Sequence, residues 1–222
     1  MSTYIQLVKS LAVECGVTST PPATVASATG EWARLCAWVS QSWVDVQEYH
    51  TTWEWMKKTV TFNTVATVGS YTPVADLAEW DFNSFRAYLT AAGVGTEMML
   101  LFTPYEQFYN TYLLGARKLV YSRPSEISVS PAKALLLGLA PNDIYTVSGE
   151  YYKAPVVLTA DADTPEMPAR FHTMIVYRAM MMYGAFEAAN EVYQRGEQEY
   201  RRMINKLELN QLATFTRAGS MI

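Results

Sequence analysis

The chain has 222 residues, half of them hydrophobic, with a formal net charge of −4 and no basic block. That length allows one large domain or two small ones with a real core. The charge balance excludes general nucleic-acid binding by phosphate neutralisation, which needs clustered Lys and Arg, although DNA could still pass through a pore. Six Trp, fifteen Tyr and eight Phe suit both a core and subunit interfaces. Cys15 and Cys36 form no C-x-x-C motif and read as buried free thiols in a reducing compartment. No signal peptide is visible, and no run of about 18 apolar residues suggests a membrane span.

Thr3 to Glu14 reads as a helix. Thr3 and Gln6 form a capping box, Tyr4, Leu7, Val8 and Leu11 share a stripe, and Gly16 is the stop. Residues 17–29 are rich in Thr, Ser, Ala and Pro and read as a loop. A second helix is expected over Gly30 to Tyr49, capped by Thr29, with Trp32, Leu35, Cys36, Val39, Trp43 and Val46 on one face. Trp53 and Trp55 follow.

From Lys58 to about Leu158 the pattern turns to strands. Thr59–Phe62 alternates, and Gly69-Ser70 signals a turn. Strands are expected at Arg86–Leu89, Met98–Phe102, Lys118–Tyr121, Glu126–Val129, Lys133–Leu137 and Ile144–Tyr152, with a turn at Pro141-Asn142-Asp143. Within this region Thr103-Pro104-Tyr105-Glu106 predicts one short helix capped by Thr103 and ended by Gly115.

Pro168 to about Leu209 returns to helix, either as two helices or as one broken near Gly184. Its first half, Met174 to Tyr183, is apolar nearly all round, with Arg178 the one charge, so it must be covered on several sides. In its second half Tyr193, Gly196, Tyr200, Met203 and Leu207 form a single stripe. Glu191–Arg195 and Glu197–Arg201 are expected i,i+4 ion pairs on the polar side. Gly196 is a poor helix former, so either the arm is not rigid alone or a backbone packs closely there.

The layout is an α+β fold: N- and C-terminal helices form a bundle, and a β-rich insert sits between them. The expected divisions are residues 1–57, the insert at 58–160 with its one short helix, 161–209, and a tail at 210–222 that would be disordered alone.

Motifs for catalysis are thin. His50 and His172 each lie at a helix end and read as capping or surface residues. Gly93-Val94-Gly95 lacks the third glycine of a dinucleotide loop, and neither a phosphate loop nor a nucleophile elbow occurs. Asp161, Asp163 and Glu166 form a compact acidic cluster. It reads as charge at the N-terminus of the helix after Pro168 in preference to a Ca²⁺ or Mg²⁺ site, since no EF-hand spacing is present. No cofactor is expected. Glu14, Glu31 and Glu48 leave a cell-wall hydrolase as a remote alternative.

Several stretches in order resemble the head-to-tail adaptor proteins of tailed bacteriophages, of the podovirus type. They are Leu11–Gly16, the helix bearing Trp43 and Gln47, the Trp53/Trp55 pair and the strand Asp143–Tyr152. The series continues with Pro165, Pro168, His172, Ile175–Ala179, Glu191–Arg195 and Glu199-Tyr200. The resemblance covers most of the chain and implies a non-enzymatic structural protein of the virion neck, made in the host cytoplasm. It implies a twelve-subunit ring beneath the portal protein that extends the DNA channel without gripping the genomic DNA, presents a surface to tail, nozzle or tube proteins, and has no membrane contact. On this reading Tyr200, Met203, Leu207, Leu209, Leu212 and Phe215 dock on the portal, and Trp53, Trp55, Tyr193 and Gly196 meet a neighbouring subunit. The alternative is another tail-side structural protein: a stopper, tube or baseplate component.

Overall fold

The structure, a computed structural model, describes residues 2–212. The helices are α1 (Tyr4–Glu14), α2 (Gly30–Tyr49), α3 (Tyr105–Phe108), α4 (Thr173–Phe186) and α5 (Asn190–Gln211). The first strands are β1 (Lys57–Asn63), β2 (Ser70–Tyr71), β3 (Leu77–Leu89), β4 (Met98–Met99) and β5 (Leu101–Phe102). The remaining strands are β6 (Tyr121–Ser122), β7 (Glu126–Val129), β8 (Leu135–Gly138), β9 (Ala140–Pro141) and β10 (Tyr145–Lys153). The chain is α+β and divides into two units, Met1–Trp55 with Pro155–Ile222, and Met56–Ala154.

In the helical unit α4 is the hub, packing against α1, α2 and α5. Met174, Ile175, Val176, Ala179 and Met180 are buried. Arg178, the charge within this apolar helix, reaches sideways to Asp45 of α2, with both Nε and Nη2 donating to Oδ2 at 3.0 and 2.8 Å. The capping box at Thr3 and Gln6 is present. The α4–α5 break falls at Glu187–Ala189, not at Gly184. Gly184 lies within α4, where an added Cβ would come within 2.8 Å of the Tyr193 amide nitrogen. Gly196 plays the same part from the other helix: its Cβ would stand 2.8 Å from the Tyr177 carbonyl oxygen. The backbone packed against Gly196 therefore belongs to the same chain, and the glycine is required by that close crossing.

Asp161 and Asp163 serve α1 and its neighbouring loops, not α4. The carbonyls of Asp163 and Asp161 accept from the amides of Tyr4 and Ile5 at 2.8 and 3.4 Å, closing the N-terminus of α1. The Asp161 carboxylate accepts from the Val25 amide at 2.6 Å. The amides of Ala160 and Thr159, donating at 2.7 Å each, hold the Asp163 carboxyl below the usual range. Asp161 and Asp163 are thus spent on backbone donors, which corrects, for these two, the expectation that they complement the dipole of the next helix.

The β-rich unit has two four-stranded sheets, ordered β1-β10-β3-β4 and β2-β8-β7-β5, and a small β6-β9 pair. The first sheet is antiparallel throughout. In the second, β5 runs parallel to β7. Trp80, Phe85 and Val147 from the first sheet meet Ile127, Leu135 and Leu137 from the second in one core. Three local expectations are revised. Ser70 pairs with Leu136 as strand, not turn. Thr103 does not cap α3: Pro104 is the cap residue, and the Thr103 hydroxyl donates to Glu126 at 2.5 Å instead. The strand expected at Lys118–Tyr121 starts only at Tyr121: after an extended Leu114, residues 115–119 form a 3₁₀ turn that takes up Lys118 and Leu119.

His172 stands at the N-cap position of α4 as expected, but its side chain makes no cap bond and is buried, not at the surface. Its Nδ1 accepts from the Ser2 amide and its Nε2–H donates to the Met167 carbonyl, both at 3.1 Å, which fixes a neutral imidazole. Burial pushes its pKa below the ordinary value. The unfolded chain then binds a proton that the folded chain refuses. Stability should be level above about pH 7 and fall, by up to about 1.4 kcal/mol per pH unit, as pH drops through about 6.5. Urea midpoints across that range should lose this slope in His172→Gln. At the helix crossing, Gly196→Ala gains about 1 kcal/mol of helix propensity but forces a backbone contact apart at a cost of about 1–3 kcal/mol. A net loss of stability is expected on chemical denaturation.

Candidate interaction surface

The end of α2 builds an aromatic knot. The indole N–H of Trp53 donates to the Val46 carbonyl at 2.9 Å, and its ring stacks on Trp55 with centroids 4.6 Å apart. His50 sits edge-on to Trp53 and to Tyr49. Its Nε2 meets the Glu208 carboxylate at 2.8 Å, tying the end of α2 to the last turns of α5. Trp53 has no exposed surface, so it has none to offer a neighbouring subunit. Trp55 is half-buried beside it.

Along α5 the expected docking residues separate by helical phase. Leu207 is fully buried and Leu209 is 79% exposed. Tyr200 and Met203 are half-buried. The Arg178 guanidinium stands 6.0 Å from the Tyr200 ring centre, and burial pushes the phenol up to about 12. Leu212 is half-buried, whereas Phe215 lies outside the described residues. Tyr193 is partly exposed and Gly196 is buried against α4. The polar side of α5 also departs from its local reading. Glu197–Arg201 forms at 2.6 Å, but Arg195 leaves Glu191 for Glu14 of α1, also at 2.6 Å. Charge spacing along one helix cannot reveal that partner.

The residues weighed for chemistry are dispersed. Glu14 is held by Arg195, Glu31 accepts from the Ser19 hydroxyl at 3.4 Å, and Glu48 is exposed. Among the described residues no group of three or more His, Cys, Asp or Glu is placed to hold a metal ion, and no helix is long and apolar enough to cross a membrane. Burial pushes the Cys15 thiol up to about 12, far from a reactive thiolate.

What the chain does expose is apolar. In the β-rich unit Val94, Met98, Met99, Leu101 and Phe102 fall within one short stretch. Sequence reasoning found the strand there but not its exposure. Leu114, Leu119, Val120 and Tyr121 form a second exposed group. The second group lies beside a cavity of about 280 Å³ lined by Leu137 and Leu139 and rimmed by Arg117 and Lys118.

Burial separates structural from available side chains on α5. Leu207→Ala should cost about 2–5 kcal/mol, whereas Leu209→Ala should stay within about 0.5 kcal/mol of the parent. Thermal melts of the two variants check this.

A family comparison matches residues 2–221 to the model described as SU10 adaptor protein. No curated protein matches the chain. The family match runs through both units and embraces the aromatic knot, the exposed β-strand segment and all of α5. The chain belongs to the SU10 adaptor protein family, a family of structural head-to-tail adaptors of phages.

Proposed function

We propose that this chain is one subunit of a ring in the virion neck that sits beneath the portal protein, extends the DNA channel and carries the tail. The observation behind this reading is the family match over residues 2–221, which takes in nearly the whole chain and both units. The surfaces agree with it. A ring needs a heterologous contact, one face of a subunit against a different face of the next, with a rotation that closes. The chain offers two distinct exposed apolar groups for such contacts.

For the portal, the supporting feature is the end of α5. The helix runs to Gln211, held to α2 through Glu208 and His50, and presents Leu209 to solvent in its last turn. The sequence beyond continues with Phe215, Met221 and Ile222. Residues 193–222 form the portal-docking arm, with Leu209 and Phe215 as its apolar anchors and Leu207 as the core residue that holds the arm in place. Passing DNA is not gripped, because the net charge is −4 and the cations are not clustered.

A chain ending at Leu212 should keep the circular dichroism and melting temperature of the full chain and lose co-sedimentation with portal-bearing heads. Retained co-sedimentation would remove residues 213–222 from the docking arm.

A further inference from the structure

We infer that the β-rich unit carries the contact between neighbouring copies: the exposed Met98–Phe102 edge of one copy seats against the cavity beside Leu119 and Tyr121 of the next. The inference rests on the ring reading above and names the surface that makes the ring.

The topology places the two halves of this contact apart. In the order β2-β8-β7-β5, β5 is one edge of its sheet and β2 the other. Leu101 and Phe102 lie on β5, and Met98 and Met99 on β4, the edge of the companion sheet. The cavity lies at the opposite end, lined by Ser70 of β2, Leu136 and Leu137 of β8, and Ala140 of β9. A protruding group on one edge and a recess at the other cannot satisfy each other within one chain. Successive copies can join them head to tail, which is the heterologous geometry of a ring.

The chemistry of the edge points the same way. Met98, Met99, Leu101 and Phe102 are 53, 44, 63 and 42% exposed, and Phe102 is stiffened by Phe82 stacked 4.0 Å away. Exposed sheet edges are guarded by charge, by proline or by being very short. β1 carries Lys57 and Lys58, whereas β4 and β5 carry neither charge nor proline and are two residues each, so they offer apolar side chains and little free backbone. The recess holds about 280 Å³, just under the roughly 300–1,000 Å³ of small-molecule sites. It is a space for one or two inserted side chains. Its rim cations, Arg117 and Lys118, are opposite in sign to Glu97, which immediately precedes Met98 and whose pairing with Arg86 in its own chain is long, at 3.6 Å.

The areas also fit. At roughly 200 Å² for a large side chain, half exposed, the two groups together offer roughly 800 Å² of apolar surface. A standard interface buries about 1,600 Å² in total, a little over half of it apolar. The patch is therefore the right size for one copy-to-copy contact.

The test places a photo-crosslinker in the contact. Met99→p-benzoylphenylalanine is introduced in the full chain, phage particles are assembled and irradiated, and the linked peptides are read by mass spectrometry. The expected result is a ladder of multiples of the chain, with residue 99 joined to peptides spanning 113–121 or 135–140 of another copy. Particles that contain the chain but give no ladder, or a link to a different virion protein, overturn this inference and leave the adaptor reading standing. Absence of the parent chain from particles overturns both. As a second measurement, Leu101→Glu should leave the circular dichroism of the purified chain unchanged. It should also lower the number of copies per particle about tenfold, and unchanged incorporation counts against the contact.

Discussion

A helix with no polar face has to be enclosed, and α4 is such a helix. Its buried side chains, Met174, Ile175, Val176, Ala179 and Met180, point to several sides at once. No single amphipathic partner can cover them. Three do: α1, α2 and α5 each bring one apolar face. This requirement explains why the two ends of the chain fold together across an insert of about one hundred residues. It also explains the two glycines at the crossing. Gly184 on α4 and Gly196 on α5 remove the Cβ atoms that would hold the helices apart, so the last element can approach closely enough to seal the enclosure. The one charge on α4 is carried out to Asp45 instead of being buried unpaired.

How much of this was legible follows from which forces are local. Helix existence, length and face were legible, because they depend on a period of 3.6 residues and on caps within a turn. The bounds of α2 and the box at Thr3–Gln6 show this. The purpose of Gly184 was not. A glycine in a helical pattern reads equally as a break or as a close approach, and only the partner helix decides. The break went to Ala188, which adopts φ +52° in the short link before α5. Most of β3 was missed for a related reason. Its thirteen residues cross a register shift opposite Gly149, and Phe82 turns to stack on Phe102, so buried and exposed positions lose strict alternation.

The interaction surface was half legible. Leu207 and Leu209 look alike in composition, but two residues along a helix is a rotation of about 200°. The stripe from Tyr193 to Leu207 already places Leu209 on the far side. Trp53 and Trp55 gave no such signal, because the hydrogen bond to Val46 and the His50–Glu208 link that enclose Trp53 are contacts between separate segments. The exposure of Met98–Phe102 was likewise hidden. A run of Met, Leu and Phe reads as an interior strand, and only the order of strands reveals that both short pieces lie at sheet edges.

The cations complete the argument about DNA. A protein that grips a duplex keeps Lys and Arg free to replace counterions at phosphates. Here many are occupied within the chain. Arg178 is held by Asp45, Arg195 by Glu14 and Arg201 by Glu197. Lys57 lies between Asp81 and Glu150 at 2.9 and 2.5 Å, an arrangement that pushes its pKa well above the ordinary lysine value, and Lys58 is paired with Asp76. Each of these pairs is partly solvated and worth little to stability. Their consequence is electrostatic: at these five residues the positive charge is neutralised where it stands. On the ring reading proposed above, such pairs would hold passing DNA less firmly than free cations, which replace counterions at phosphates.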